Sequence, residues 1–312
     1  MTAAPADTTA VPSRRSERLA LAAFLTESVL AGGSAVSIRF SNRELAPLWG
    51  ASLRFTLAAA VLLAVMAAMR LRPPRGRALV GSALFGALLG ASFAFAYYAL
   101  LEIRAGLGQT ILALVPLATL LLAVAQRQER LRAAAAAGTL LALAGVALIS
   151  RAPLREAVPP LSLLAALGGV LCFAQATIVV RRFPPVHPVV MNGVGMAVGA
   201  VLLIAASVLA GEPHPLPRRA ETWAALGYLV VVGSVVVFVL YLYVLRTWTA
   251  TRAAYGFVLI PFVTVLLSAW LDNEPLGVGL LLGGLLVLAG VYVGALRPTG
   301  QPSTPGGTAP RR

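Results

Sequence analysis

No lysine occurs anywhere in this 312-residue chain, so all 25 of its basic residues are arginines. There is one cysteine, Cys172, within an apolar segment, which excludes an intrachain disulfide. The two histidines, His187 and His214, sit beside prolines in connecting segments and join no Cys/His cluster. Zinc chemistry is therefore not expected, and the sequence implies no metal or cofactor. Acids number only 11, and no Ser/His/Asp, Cys/His or metal-binding constellation is present to make an enzyme. A channel would want a ring of polar or charged residues along a pore, and only scattered amides are available.

The net charge of +14 would suit nucleic acid, were the arginines on one continuous face. They lie instead in short clusters at the ends of apolar runs, which is a membrane-topology signal, and no nucleic-acid partner is expected. What the chain has in abundance is apolar surface: 59% of residues are hydrophobic, and the mean hydropathy is +0.87. The partner this demands is a lipid bilayer.

Windows of roughly 20 apolar residues predict ten spans: 19–39, 48–69, 78–101, 105–125, 132–150, 161–180, 187–210, 223–245, 252–271 and 276–296. Residues 1–17 and 298–312, rich in Ala, Pro, Thr and Gly, read as disordered tails. The domain reading is a tail over 1–17, five helices over 18–150, a linker at 151–160, five helices over 161–296 and a tail from 297. Arg14 and Arg15 precede an apolar stretch as in an export signal, but that stretch reaches full spanning length and leads into nine more. With the N-terminus inside, seventeen arginines fall on the inner side and seven on the outer, so both termini are expected in the cytoplasm.

Shifting the chain by 145 places Tyr98 on Tyr243, Pro116 on Pro261, Glu129 on Glu274, Gly138 on Gly283 and the "LAGV" of 143–146 on that of 288–291. A gapless register of this kind is an internal repeat. Five spans per half is an odd number, so the second half enters the membrane from the opposite side. The expected fold is thus an all-α membrane protein of ten transmembrane helices, arranged as two five-helix inverted-topology repeats. That architecture is associated with alternating-access carriers whose substrate sites lie between the repeats. Pro116 and Pro261 each interrupt an apolar helix at a matching depth, and are read as kinks of cavity-lining helices. Four-residue glycine spacings at 86/90, 195/199, 279/283 and 290/294 indicate close helix packing, within a monomer or across a homodimer.

Ionisable groups inside a bilayer are costly and mark functional sites. Glu27 lies about eight residues into the first span, on one helical face with Ala31 and Ser34. It is expected to carry a proton or to pair with a cationic substrate. Arg54 is placed near the outer end of its span, where its head is expected to snorkel to the interface. Glu129 and Glu274 follow short links and are read as helix-terminal caps. Gln109, Gln175 and Tyr255 are polar enough to line a substrate or proton path, or to bond between helices. Trp248, near a span end, reads as an interfacial anchor.

Taken together these residues resemble the EamA-type transporters of the drug/metabolite transporter superfamily. The first copy carries "RF" at Arg54–Phe55, "YYALLEIRAG", Pro116, Glu129, Gly138 and Gly145. The second carries "YLYVLRTWTATRAA", Pro261, "NEPL" with Glu274, Gly283 and Gly290. The resemblance implies a ten-helix carrier of the inner membrane, a secondary transporter or exchanger that exports amino acids, metabolites or amphipathic drugs. Two positions depart from the family pattern: Ala31, where a tryptophan often precedes the glycine, and Glu102, where a lysine often follows "YYAL". Both leave the substrate open.

Overall fold

The computed structural model describes residues 14–103, 108, 111–149, 159–261 and 278–296, and among these every regular element is helical. In chain order they are α1 (Arg14–Ala31), α2 (Ser34–Asn42), α3 (Pro47–Ala68), α4 (Arg77–Glu102), α5 (Val115–Ala125) and α6 (Ala133–Ile149). There follow α7 (Pro160–Arg182), α8 (Pro188–Leu209), α9 (Ala220–Val230), a π-helical segment (Val231–Val236), α10 (Val237–Thr247), α11 (Ala250–Ala254) and α12 (Val278–Val291). Prolines set several starts, at the first turn of α3, α5, α7 and α8. A missing N–H costs nothing there, because the first turn has no intrahelical acceptor for it.

Six stretches are long and apolar enough to cross a membrane: 15–42, 47–68, 77–102, 160–182, 188–209 and 220–247. They match six of the ten expected spans. Three more expected spans correspond to shorter apolar helices within 115–125, 133–148 and 282–294. The remaining one, 252–271, is described only through α11 and the helical residues 256–261. Both predicted tails fall almost wholly outside the described residues, as does most of the predicted linker.

Large apolar side chains point outward along the helices; Leu164, Val201 and Leu285 are each 65% exposed. In lipid this is the stable arrangement, and helices then associate through close packing rather than by hiding apolar surface from water. Glycines supply that closeness. Gly86 and Gly90 of α4 meet Gly195 and Gly199 of α8, and a β-carbon on Gly90 would stand 3.0 Å from the Gly199 Cα. The spacings at 86/90, 195/199 and 290/294 thus serve contacts within the chain.

The α6–α12 contact has a particular geometry. A β-carbon on Gly145 would come within 2.6 Å of the Gly283 carbonyl oxygen and 2.7 Å of the Val287 amide nitrogen. One on Gly290 would come within 2.6 Å of both the Gly138 carbonyl oxygen and the Ala142 nitrogen. Under the 145-residue shift each of these pairs is the image of the other. Rising numbers on α6 meet falling numbers on α12, so the two helices run antiparallel. The same holds for α3 and α8, where Leu62 meets Gly193 and Phe55 meets Gly199.

Candidate functional site

A cavity of about 140 Å³ lies among α1, α2, α3, α4, α7, the π-helical segment, α10 and residues 256–260. Backbone irregularities surround it. The first span breaks in a turn at Gly32–Gly33, the fourth in a turn at Ala113–Leu114 just before Pro116, and the ninth at Tyr255. The eighth passes through the π turn. Irregular backbone at membrane depth is tolerated where it lines a cavity or is re-satisfied by side chains. Neither proline ring lines the cavity. Residues about one turn ahead of each, Ile111 and Leu112 before Pro116 and Gly256 and Phe257 before Pro261, do.

Glu27, Ala31 and Ser34 all line it, Ser34 from beyond the Gly32–Gly33 break. Glu27 is 5% exposed, and its Oε1 is the nearest atom to where a Gly256 β-carbon would stand. Among the described residues no cation lies within ion-pair distance of it. Arg54 also lines the cavity, and here the expected snorkelling is corrected. Arg54 is 1% exposed. Its Nε donates to Ser234 Oγ at 2.8 Å and its Nη2 to the Gly233 carbonyl at 3.1 Å, while the guanidinium lies 4.4 Å from the Phe93 ring centroid.

The reason is local. A π turn spaces its carbonyls differently from the α-helix on either side, which leaves acceptors for side chains of other helices. Asn192 takes the Ser234 carbonyl at 2.8 Å, and Arg54 takes its neighbour. With acceptors inside the bundle, the head has no need to climb to the interface. The sequence offered one sign of this, the small polar pair Gly233–Ser234 inside the run "LVVVGSVVVFVL". Ser92, Tyr241, Phe173, Phe238 and Phe257 also line the cavity and were not singled out from sequence.

Two other expected path residues face elsewhere. The Tyr255 hydroxyl lies 2.7 Å from Thr139 Oγ1 and donates to the Ala135 carbonyl at 2.8 Å, tying α6 to the turn after α11. Gln175 accepts from Gln126 Nε2 at 2.7 Å, beside the end of α5. Gln109 and Glu274 lie outside the described residues. Glu129 accepts from the Thr251 N–H at 3.2 Å, so it meets the first turn of α11 in the second half rather than that of α6, which follows it.

The cavity reaches from mid-bundle toward the end where α3 begins. At the opposite end, where α1 begins, it is sealed. Trp248 is 2% exposed, with Phe24 against it at 5.2 Å between centroids and the Arg252 guanidinium 3.9 Å from the centroid of its ring. Glu17 accepts from Trp248 Nε1 at 2.9 Å and pairs with Arg252 at 3.2 Å. Trp248 is therefore a buried plug, not an interfacial anchor. Replacing it, as Trp248→Ala, should open this end. With Cys172→Ser and a cysteine introduced by Ser28→Cys, a membrane-impermeant maleimide should then label position 28 several-fold faster from that side. An unchanged rate would show that the seal lies elsewhere.

The other end is tied by carboxylates on backbone amides. Glu212 accepts from Leu48 N–H at 3.2 Å and Trp49 N–H at 2.8 Å, and Glu44 from Arg218 N–H at 2.6 Å. The Thr222 hydroxyl, then the Arg218 amide, hold the half-buried Glu44 carboxyl below its ordinary value of 4.5. This tie is accordingly intact above that value and weakens as the pH falls below it.

A bundle helical throughout its described residues, with apolar outer faces and a cavity lined by Glu27 and the buried Arg54, defines an integral membrane protein. The pattern of the EamA-like transporter family matches residues 18–151 and again 160–295. The chain belongs to that family and is a membrane transporter. It is 27% identical over 275 residues to the uncharacterized inner membrane transporter YedA of Escherichia coli K12, covering 85% of this chain and 87% of that one. It is 30% identical over 103 residues to an uncharacterized transporter of Archaeoglobus fulgidus, a match to 36% of that protein's length. A solved crystal structure superposes with a TM-score of 0.72 over 93% of this chain and 100% of the other, at 24% identity, and so has the same fold.

Proposed function

We propose that this protein is a secondary transporter of the inner membrane that exports small metabolites, amino acids or amphipathic solutes by alternating access. Its cavity is the substrate site, and it has ten spans in two inverted five-helix repeats with both termini in the cytoplasm. The observation that carries this reading is the cavity itself, whose walls come from both sequence repeats. The antiparallel, image-related contacts of α6 with α12 support the inverted relation, since equivalent helices of inverted repeats must run in opposite directions. Direction follows from the arginine bias, which puts the Trp248 seal on the cytoplasmic side and the cavity toward the outside. Glu27 serves as the proton site or as the counter-ion of a substrate cation. A monomer suffices, because the glycine contacts are used within one chain.

The test is solute flux in proteoliposomes under an imposed pH gradient, with amino acids, cationic dyes and nucleosides as probes. Gradient-dependent accumulation of one class is expected. Counterflow without any response to the gradient would identify an exchanger, and binding without flux a receptor; either would overturn the coupled-carrier reading.

A further inference from the structure

Arg54 poses a problem that its protein neighbours do not solve. A guanidinium stays charged under all physiological conditions, and this one is buried among the spans. Its protein partners are neutral: a serine hydroxyl, a backbone carbonyl and the face of Phe93. Among the described residues no carboxylate lies within 4.0 Å of it, and Nη1 has no hydrogen-bond partner. The buried Tyr97 hydroxyl lies within reach of the guanidinium and is, like the other partners, neutral. An uncompensated charge in such surroundings is costly, and an arriving anion removes that cost.

The rest of the cavity is aromatic and aliphatic. Phe93, Phe173, Phe238, Tyr241 and Phe257 form much of its wall, and several of their rings meet edge to face. Such a lining selects an apolar or aromatic body, whereas Arg54, the one cation among the described lining residues, selects the head. Because three neutral contacts already hold the guanidinium in place, little ordering remains to be done when an anion docks.

We propose that Arg54 is the anion anchor of the site and that the transported solute is an organic anion, a carboxylate on an aromatic or branched apolar body. This rests on the reading of the cavity as the substrate site.

The probes are 3-phenylpropionate, its uncharged amide and phenethylamine, which share one body and differ in the head. Binding to the purified protein is measured by thermal stabilisation and by protection of the Ser28→Cys position from maleimide. The carboxylate is expected to bind at least about tenfold more tightly than the amide, the usual margin for a charge-assisted hydrogen bond. The amine is expected to bind weakest. Arg54→Gln should bring the carboxylate-to-amide ratio close to one, and Arg54→Lys should keep part of the preference. The wild-type ranking decides the matter even if Arg54→Gln fails to fold. Equal binding of carboxylate and amide, or preference for the amine, overturns the anchor while leaving the cavity as a binding site. If none of the three binds or protects position 28, the cavity reading itself falls, and the anchor with it.

Discussion

Gly290→Leu is expected to prevent recovery of folded protein. The added β-carbon would meet the Gly138 carbonyl oxygen and the Ala142 amide nitrogen, both at 2.6 Å and both backbone atoms that cannot rotate away. Overfilling a packed core costs about 1–3 kcal/mol when side chains can adjust. Here the adjustment required is separation of α6 from α12, so the cost should reach or exceed the top of that range. Against a total stability on the order of 5–15 kcal/mol, the variant should lose its monodisperse peak on size-exclusion chromatography in detergent. Gly227→Ala is the control, because a β-carbon there meets nothing within 4 Å. A monodisperse Gly290→Leu protein with unchanged melting temperature would mean that this contact is not needed for folding.

Glu27→Gln should do the reverse, leaving the fold intact and removing function. The amide has nearly the same volume, and among the described residues the carboxyl gives up no ion pair within the protein. What it loses is the ability to exchange a proton or to neutralise a cation inside the cavity. Flux driven by a pH gradient should fall at least about tenfold, equivalent to roughly 1.4 kcal/mol in the transport step, while exchange at equal pH is spared if Glu27 carries the proton. Undiminished pH-driven flux through Glu27→Gln would remove this residue from the coupling mechanism.

Much of the architecture was legible because bilayers impose length and composition on the elements that cross them. The spans beginning at Pro47, Pro160 and Pro188 could be placed within one or two residues from apolar runs alone. Glu27 was legible for a related reason, that a buried acid needs a cavity or a partner, and Ser34 lines the same cavity although the helix breaks between the two. Arg54 was misread because its position along the helix says nothing about which neighbours surround it. Its acceptors lie about 180 residues away in the chain, on a π turn that apolar patterning does not reveal. Tyr255 and Gln175 show the same limit. Both are polar groups within spans, yet each found a partner on a neighbouring helix and neither faces the cavity.

The π turn at Val231–Val236 also sets a register. Such a segment amounts to one residue more than a continuous α-helix would hold, and one residue is worth about 100° of rotation. Everything beyond it, including Phe238 and Tyr241 on the cavity wall and Trp248 at the seal, is aimed by that offset. Deleting a single valine from 231–236 would relax the turn into regular helix and swing all three side chains about a quarter-turn together. The same event would withdraw the carbonyls that hold Arg54 and Asn192. One surplus residue therefore phases the first half of this span with its second, and relates the pocket's aromatic wall to the plug beyond it.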